Sequence, residues 1–237
     1  MRPIRRLDSG TDFPPTCEAL DYPNGLLAVG GDLTPGRLLA AYRRGIFPWY
    51  ADPQPVLWWT PDPRSVLLPQ NLHISRSLRK TLRADTFRLS VDARFEDVMR
   101  ACAELRGDGL GTWIDDAMIG AYSALHAMGH AHSIEVLDAQ DRLVGGLYGV
   151  AMGGVFFGES MFSRHSNASK VALVALAQLL LRHGFSLIDC QVESEHLNSM
   201  GAHTISRLDF ERRLAQTIDI EIAADIWHLP ATCGGLL

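Results

Sequence analysis

The chain has 237 residues, of which 47% are hydrophobic and 21% charged, and its mean hydropathy is close to zero. A chain of this size folds as one large domain, or as a full-sized domain with a small appendage. Its apolar runs are too short to cross a bilayer, and its basic first residues lead into no apolar segment. The composition therefore excludes a membrane-spanning protein and predicts no secretory signal.

The spacing of cysteines and histidines predicts no metal site. The nine histidines show no ligand pattern. The four cysteines are scattered without a CxxC pair, at Cys17, Cys102, Cys190 and Cys233. We expect them to be reduced structural thiols of a cytoplasmic protein.

Residues 1–62 are rich in Pro and Gly and predict a small N-terminal domain. One helix stands out in it, with Thr34 as the N-cap, Pro35 as its first residue and Gly45 as its C-cap. The Pro-rich stretch 52–63 is typical of a linker. We expect residues 63–237 to form the second, catalytic domain.

Beyond the linker the pattern alternates between strands and helices. In chain order it predicts a strand over 66–69, a basic helix over 75–82, a strand over 87–92, helices over 95–104 and 115–128, a strand over 132–137, a hairpin turning at Gly153–Gly154, a long helix ended by residues 182–184, and a strand over 185–192. The last strand, helix and strand imply a right-handed crossover between parallel strands.

Several antiparallel strands followed by one crossover resemble the acetyltransferase-like (GNAT) architecture. This is an α/β (α+β) fold with a mixed sheet. Members that bind acetyl-CoA place a Gly-rich loop before the crossover helix, so that backbone N–H groups reach the pyrophosphate. The corresponding loop here, SRHSNASK, has no glycine. We therefore expect an acyl donor other than a CoA thioester.

One helix is strongly basic and lacks interleaved Glu. Its cations follow i, i+3/i+4, i+7 spacing and share one face: Arg76, Arg79, Lys80 and Arg83. Such a face is either simply solvated or binds phosphates, and the absence of paired acids slightly favours phosphates despite the net charge of −5.

Polar residues interrupt the last apolar strand. In an extended strand Leu187, Asp189, Gln191 and Glu193 point to one face. An acid beside an amide is either a satisfied structural pair or faces a cleft. Glu159 interrupts the strand before the crossover helix, so adjacent parallel strands are expected to bring it towards Asp189.

Taken together, these segments resemble the leucyl/phenylalanyl-tRNA–protein transferase family. The resemblance runs from about residue 23 to 207, and its most distinctive stretches are GGDLTP, GIFPWY, WWTPDPR, GESMFSR and LIDCQV. It implies transfer of Leu or Phe, and less readily Met, from an aminoacyl-tRNA to an N-terminal Arg or Lys of a protein, which marks that protein for degradation by the N-end rule. It also implies a GNAT-like domain behind a small N-terminal domain, no cofactor or metal, and neither DNA nor a membrane as partner.

The resemblance also implies roles for individual residues. Asp189 and Gln191 match the catalytic pair, and Glu159 matches the position that binds the cationic acceptor. Aromatic residues would stack on the 3′-terminal adenosine, namely Trp49, Trp113 and Tyr122. Apolar residues would hold the aminoacyl side chain, namely Phe47, Leu147, Phe156 and Leu176. The basic helix face would grip tRNA phosphates without reading sequence.

Two other interpretations of the sequence stay open. The first is an N-acetyltransferase with a CoA donor, against which the glycine-free loop argues. The second is a non-catalytic tRNA- or protein-binding module on a transferase fold. The presence of Asp189, Gln191 and Glu159 favours an enzyme over such a module.

Overall fold

The computed structural model describes residues 4–104 and 114–237. The strands are β1 (Arg5–Leu7), β2 (Leu26–Gly30), β3 (Phe47–Pro48), β4 (Leu57–Trp59), β5 (Arg64–Leu67), β6 (Arg88–Val91), β7 (Ala131–Leu137), β8 (Leu143–Met152), β9 (Val155–Ser163), β10 (Leu187–Gln191) and β11 (His203–Ile205). The α-helices are α1 (Pro35–Tyr42), α2 (Arg76–Ala84), α3 (Phe95–Glu104), α4 (Asp116–Ala127), α5 (Ala168–Arg182), α6 (Glu195–Asn198) and α7 (Arg207–Thr217). No helix in these two ranges is both long and apolar enough to cross a membrane.

The first part of the chain forms a four-stranded sheet in the order β1-β2-β4-β3. The predicted helix is α1, which starts at Pro35 as expected. The predicted linker over 52–63 is wrong in its centre, because Leu57–Trp59 is an inner strand of this sheet. Trp58 is fully buried there, and its indole N–H donates to the carbonyl of Gly30 at 2.9 Å. Short strands between prolines give little local signal, because cross-strand pairing stabilises them.

A seven-stranded mixed sheet follows, in the order β11-β5-β10-β9-β8-β7-β6. The predicted hairpin is confirmed: β8 and β9 pair antiparallel and turn at Gly153–Gly154. The predicted crossover is confirmed too, because α5 joins β9 to β10 and these two strands are parallel neighbours. The strand predicted over 66–69 begins earlier, at Arg64. The α/β class with a mixed sheet is therefore confirmed.

Helices cover both faces of the large sheet. The crossover helix α5 and the basic helix α2 pack with one apolar cluster, and α3 and α4 pack with another. The second cluster also contains Leu38, Tyr42 and Trp58 from the first part of the chain. The N-terminal sheet and the large sheet thus share one continuous core, which fixes their relative position.

Two helices begin at residues whose side chains cap them. Ser75 caps α2 by accepting the Leu78 N–H, and Asp115 caps α4 by accepting the Met118 N–H. These caps satisfy backbone N–H groups at the starts of α2 and α4. The caps predicted for α1 differ: Thr34 precedes the helix without a side-chain cap hydrogen bond, and the C-cap is Arg43 rather than Gly45. Helix α3 begins at Phe95, as predicted, and is described as far as Glu104.

Candidate active site

Two β-bulges lie next to each other on the parallel strands β9 and β10. In β9 the register with β8 shifts between Gly158 and Ser160, so that Glu159 is the extra residue. In β10 the register with β5 shifts between Asp189 and Gln191. A bulge bends its strand and redirects the side chains around it, and such bulges are frequent beside active sites.

The bulge in β10 changes what the strand presents. The alternation predicted through Glu193 is wrong, because β10 ends at Gln191 and Glu193 is an exposed residue beyond it. Gln191 has a left-handed backbone with φ of 62°. Asp189 turns to Arg64, whereas Gln191 turns to Glu159. The two predicted catalytic side chains are therefore neighbours with different partners.

Residues of both bulges line a cavity of about 590 Å³. The apolar residues that the resemblance implies for the aminoacyl side chain all lie in its wall: Phe47, Leu147, Phe156 and Leu176. Trp49 lies at its edge with 43% of its surface exposed, next to Trp59 at a ring distance of 5.7 Å. Trp113 lies outside the described residues.

Glu159 is the buried acid of this cavity. Its Oε1 accepts the side-chain N–H of Gln191 at 2.9 Å, and its Oε2 accepts the hydroxyl of Tyr122 at 3.0 Å. The pKa of Glu159 is raised to about 7, chiefly by burial; hydrogen bonds from Tyr42, Tyr122 and Gln191 oppose the rise, and the nearby charge of Asp189 contributes to it. The carboxyl therefore changes charge in the neutral range, as suits a group that meets a cation or a proton.

Tyr122 lies elsewhere than a base-stacking role requires. Its ring is fully buried and is not part of the cavity wall. Its hydroxyl hydrogen-bonds to Glu159 and to the hydroxyl of Tyr42, and burial raises the pKa of both phenols well above 10.0. No face of the ring is open to an adenine. In this structure Tyr122 orients Glu159 instead.

Asp189 is completely buried in an ion pair with Arg64. The Nε–H and Nη2–H of Arg64 donate to Oδ1 and Oδ2 of Asp189, at 2.8 and 2.6 Å. The backbone N–H of Gln191 also donates to Oδ1, at 3.0 Å. Asp189 thus lies in the cavity wall with its side chain fully buried, and both of its carboxylate oxygens are engaged by Arg64 and Gln191.

An apolar cavity with a buried acid and amide therefore lies at the two adjacent bulges. A family model described as leucyl/phenylalanyl-tRNA protein transferase matches residues 66–215, and one for the N-terminal domain of the same proteins matches residues 31–62. The chain belongs to the leucyl/phenylalanyl-tRNA–protein transferase family. The predicted enzyme class, an aminoacyltransferase, is confirmed with it.

Relatives named leucyl/phenylalanyl-tRNA–protein transferase match this family member over nearly its whole length. The protein of Nitrosospira multiformis is 56% identical, covering 93% of this chain and 95% of its own. That of Nitrosomonas europaea is 57% identical over 98% of both chains. Among solved structures, the L-PGS of Bacillus licheniformis (TM-score 0.40, 79% of this chain and 64% of its own) and a GCN5-related N-acetyltransferase from Kribbella flavida (TM-score 0.35, 73% and 61%) are each 13% identical.

The basic face of the transferase lies on α2. Its four cations are all exposed, and none forms an ion pair within the described ranges: Arg76, Arg79, Lys80 and Arg83. The helix lies beside the start of α5, where the side-chain N–H of Asn167 donates to Thr81 at 2.9 Å. Helix α5 therefore lies beside the basic helix α2 at its start and lines the cavity at Leu176, so it connects the basic face with the cavity.

The sequence patterns do not predict two residues of the site, Arg64 and Tyr42. Arg64 ends the WWTPDPR stretch and directly precedes the mostly apolar run SVLL. A charged residue at the start of such a strand was the one feature that could have indicated it. Tyr42 lies in a helix of the N-terminal part and gave no signal, since its partner Tyr122 is 80 residues away in the chain.

Proposed function

We propose that this enzyme transfers Leu or Phe, and less readily Met, from its tRNA to an N-terminal Arg or Lys of an acceptor protein. The observation that carries the proposal is the hydrogen-bonded pair of Glu159 and Gln191 in the wall of an apolar cavity. An apolar cavity suits the aminoacyl side chain, and a buried carboxylate suits a cationic acceptor. Modification of this kind would mark the acceptor for N-end-rule degradation in the cytoplasm.

The donor end is assigned to the apolar wall. Phe47, Leu147, Phe156 and Leu176 would surround the Leu or Phe side chain. Such a pocket discriminates by only about 1–3 kcal/mol per methylene, which is consistent with some use of Met. We assign the exposed indole of Trp49 to stacking on the terminal adenine, together with Trp113 from outside the described residues.

The acceptor end is assigned to Glu159 and Gln191. The acceptor's α-amine, with an ordinary pKa of about 7.7–8.0, is partly neutral and nucleophilic near neutral pH. Its nitrogen attacks the ester carbonyl carbon, an amide forms, and the 3′-oxygen of the tRNA leaves with the proton that the amine gives up. Gln191 would orient the amine and polarise the ester. No covalent enzyme intermediate is required.

Alignment would supply most of the rate. The ester is already activated, and effective molarities of about 10⁵–10⁸ M are attainable when two reactants are held in line. Asp189 would serve as the internal partner that fixes Gln191. We assign Arg76, Arg79, Lys80 and Arg83 to tRNA phosphates. We further propose that residues 1–62 form the small N-terminal domain and residues 63–237 the catalytic domain.

A citrulline substitution in the acceptor tests the proposal. Citrulline has the shape of Arg without its charge, and the α-amine is the same in both peptides. Because Glu159 ionises near pH 7, we expect the ratio of kcat/KM for Arg-peptide over citrulline-peptide to rise between pH 6 and pH 8. In Glu159→Gln the ratio should be small and independent of pH. A ratio near one at pH 8 for the unmodified enzyme would overturn the acceptor assignment.

A further inference from the structure

We propose that Arg64 is a positioning residue of the transfer reaction: its guanidinium holds Asp189, and through Asp189 it holds Gln191 in the geometry that reaches Glu159. The inference rests on the proposed roles of Gln191 and Glu159. It gives Asp189 a supporting part in place of direct contact with substrate.

The burial of the ion pair between Arg64 and Asp189 requires an explanation. Arg64 and Asp189 have side chains that are 1% and 0% exposed, and they meet in a two-point fork. Removing two charges from water is unfavourable, and apolar pairs of the same volume often stabilise a fold as well or better. Stability alone therefore does not account for the pair, whereas the placement of neighbouring atoms does.

The ion pair between Arg64 and Asp189 first fixes the position of Gln191. Its left-handed φ of 62° is disfavoured for a residue with a Cβ. The N–H of this strained residue donates to the same Asp189 oxygen that accepts from Arg64 Nε. The side chain of Gln191 then reaches Glu159 at 2.9 Å. The two-point contact with Arg64 fixes the position and orientation of the Asp189 carboxylate. It therefore also fixes the side-chain amide of Gln191 at the cavity.

Arg64 also fixes part of the wall of the proposed aminoacyl cavity. The guanidinium carbon of Arg64 lies 4.9 Å from the ring centroid of Phe47 and 4.5 Å from that of Phe210. Phe47 belongs to the N-terminal sheet and lines the cavity, and Phe210 belongs to α7. The planar guanidinium of Arg64 therefore contacts Phe47 of the N-terminal sheet and Phe210 of α7. It also binds Asp189, which in turn accepts the backbone N–H of Gln191. Lysine supplies the charge but neither the fork nor the flat faces.

Arg64→Lys is the direct test, with Arg37→Lys as its matched control. Arg37 is equally buried, at 1%, and its fork binds Asp32 and the carbonyl of Asp8, far in sequence from both bulges. We expect Arg64→Lys to lower kcat about 10²-fold, the loss that a misplacement near 1 Å causes, with little change in KM for aminoacyl-tRNA. Arg37→Lys should lower the melting temperature and leave kcat unchanged. Equal kcat losses in both variants would refute the proposal.

A second measurement keeps the proposal separate from the proposed function. We expect amide hydrogen exchange in residues 187–193 to be about 10-fold faster in Arg64→Lys, and unchanged in Arg37→Lys. Unchanged exchange in both would refute the positioning role, whatever the activity. If the unmodified enzyme fails to modify Arg-peptides while exchange responds as expected, the proposed function fails and the positioning role stands.

Phe210→Leu covers the case in which Arg64→Lys does not fold, and a double variant tests the shared path where Arg64→Lys does fold. Phe210→Leu keeps the ion pair and removes one stacked ring, so we expect a kcat loss of a few-fold with KM retained. Asp189→Asn combined with Arg64→Lys should be no worse than the worse single variant, because both break the same link. Multiplicative losses in that pair would contradict a shared path.

Discussion

Replacing Glu159 by Gln should stabilise the protein at alkaline pH. Burial raises the pKa of this carboxyl from 4.5 to about 7, so the folded state binds a proton that the unfolded state has released between these values. The stability of the unmodified protein therefore falls as pH rises from about 4.5 to about 7. Below that window both states carry a neutral carboxyl. Gln, which is neutral throughout, escapes the loss.

The magnitude follows from the same two values. Each pKa unit corresponds to about 1.4 kcal/mol, so Glu159→Gln should gain about 3 kcal/mol at pH 8 and less than about 1 kcal/mol at pH 5. Gln retains an oxygen that accepts from Gln191, and its amide N–H donates to the Tyr122 hydroxyl oxygen, so both contacts are kept with the second one reversed in direction.

Urea unfolding at both pH values measures the difference. The midpoint should move at pH 8 with an unchanged m-value. Glu193→Gln, at an exposed carboxylate, is the control and should change neither midpoint appreciably. Other titrating groups are common to the compared proteins and cancel. A gain of equal size at pH 5 and pH 8, or no gain at all, would refute the raised pKa of Glu159.

Four further outcomes follow from the site. Asp189→Asn should lower kcat sharply with tRNA affinity nearly intact in a filter-binding assay; an equal loss of affinity would contradict its internal role. Replacing Arg79 and Lys80 by Gln should weaken tRNA binding and flatten the dependence of log K on log salt by about 0.7–0.9 per lost contact, and an unchanged slope would rule out phosphate contacts there. Trp49→Ala should raise KM for aminoacyl-tRNA by the equivalent of about 1–3 kcal/mol, whereas Trp49→Phe should retain most of the affinity. Tyr122→Phe removes a hydrogen bond to the carboxylate, so the midpoint of the Arg-over-citrulline ratio should move above pH 7; a fixed midpoint would count against that contact.

Elements with a strong local pattern were predictable from the sequence. Helix α3 and the hairpin of β8 and β9 were located correctly, because period 3.6, period 2 and a Gly-Gly turn are visible within a few residues. Strand β4 was missed. It has only three residues between prolines, and its stability comes from pairing with β2 and β3 rather than from its own composition.

The site was predictable in its residues and not in its geometry. Glu159, Asp189 and Gln191 stand out as polar residues in apolar strands. Adjacent parallel strands predict the approach of Glu159 to Asp189, whereas in the structure Glu159 is hydrogen-bonded to Gln191. The two bulges break the period-2 pattern that placed Asp189 and Gln191 on one face. The partner of Asp189 is 125 residues away in the chain, so no local spacing reveals it. The resemblance implies a stacking role for Tyr122, and nothing in the sequence around Tyr122 predicts that its ring is fully buried.

Transfer of Leu to a defined α-amine is the reaction proposed for this enzyme, and it is measured with purified components. The pure enzyme is incubated with leucyl-tRNA and a peptide that begins with Arg, and the product is sequenced by mass spectrometry beside an N-acetylated copy of the peptide. We expect one Leu in amide linkage to the α-amine of Arg, and no product from the acetylated copy. Leucine at a lysine side chain, or on the acetylated peptide, would contradict it, as would the absence of any transfer.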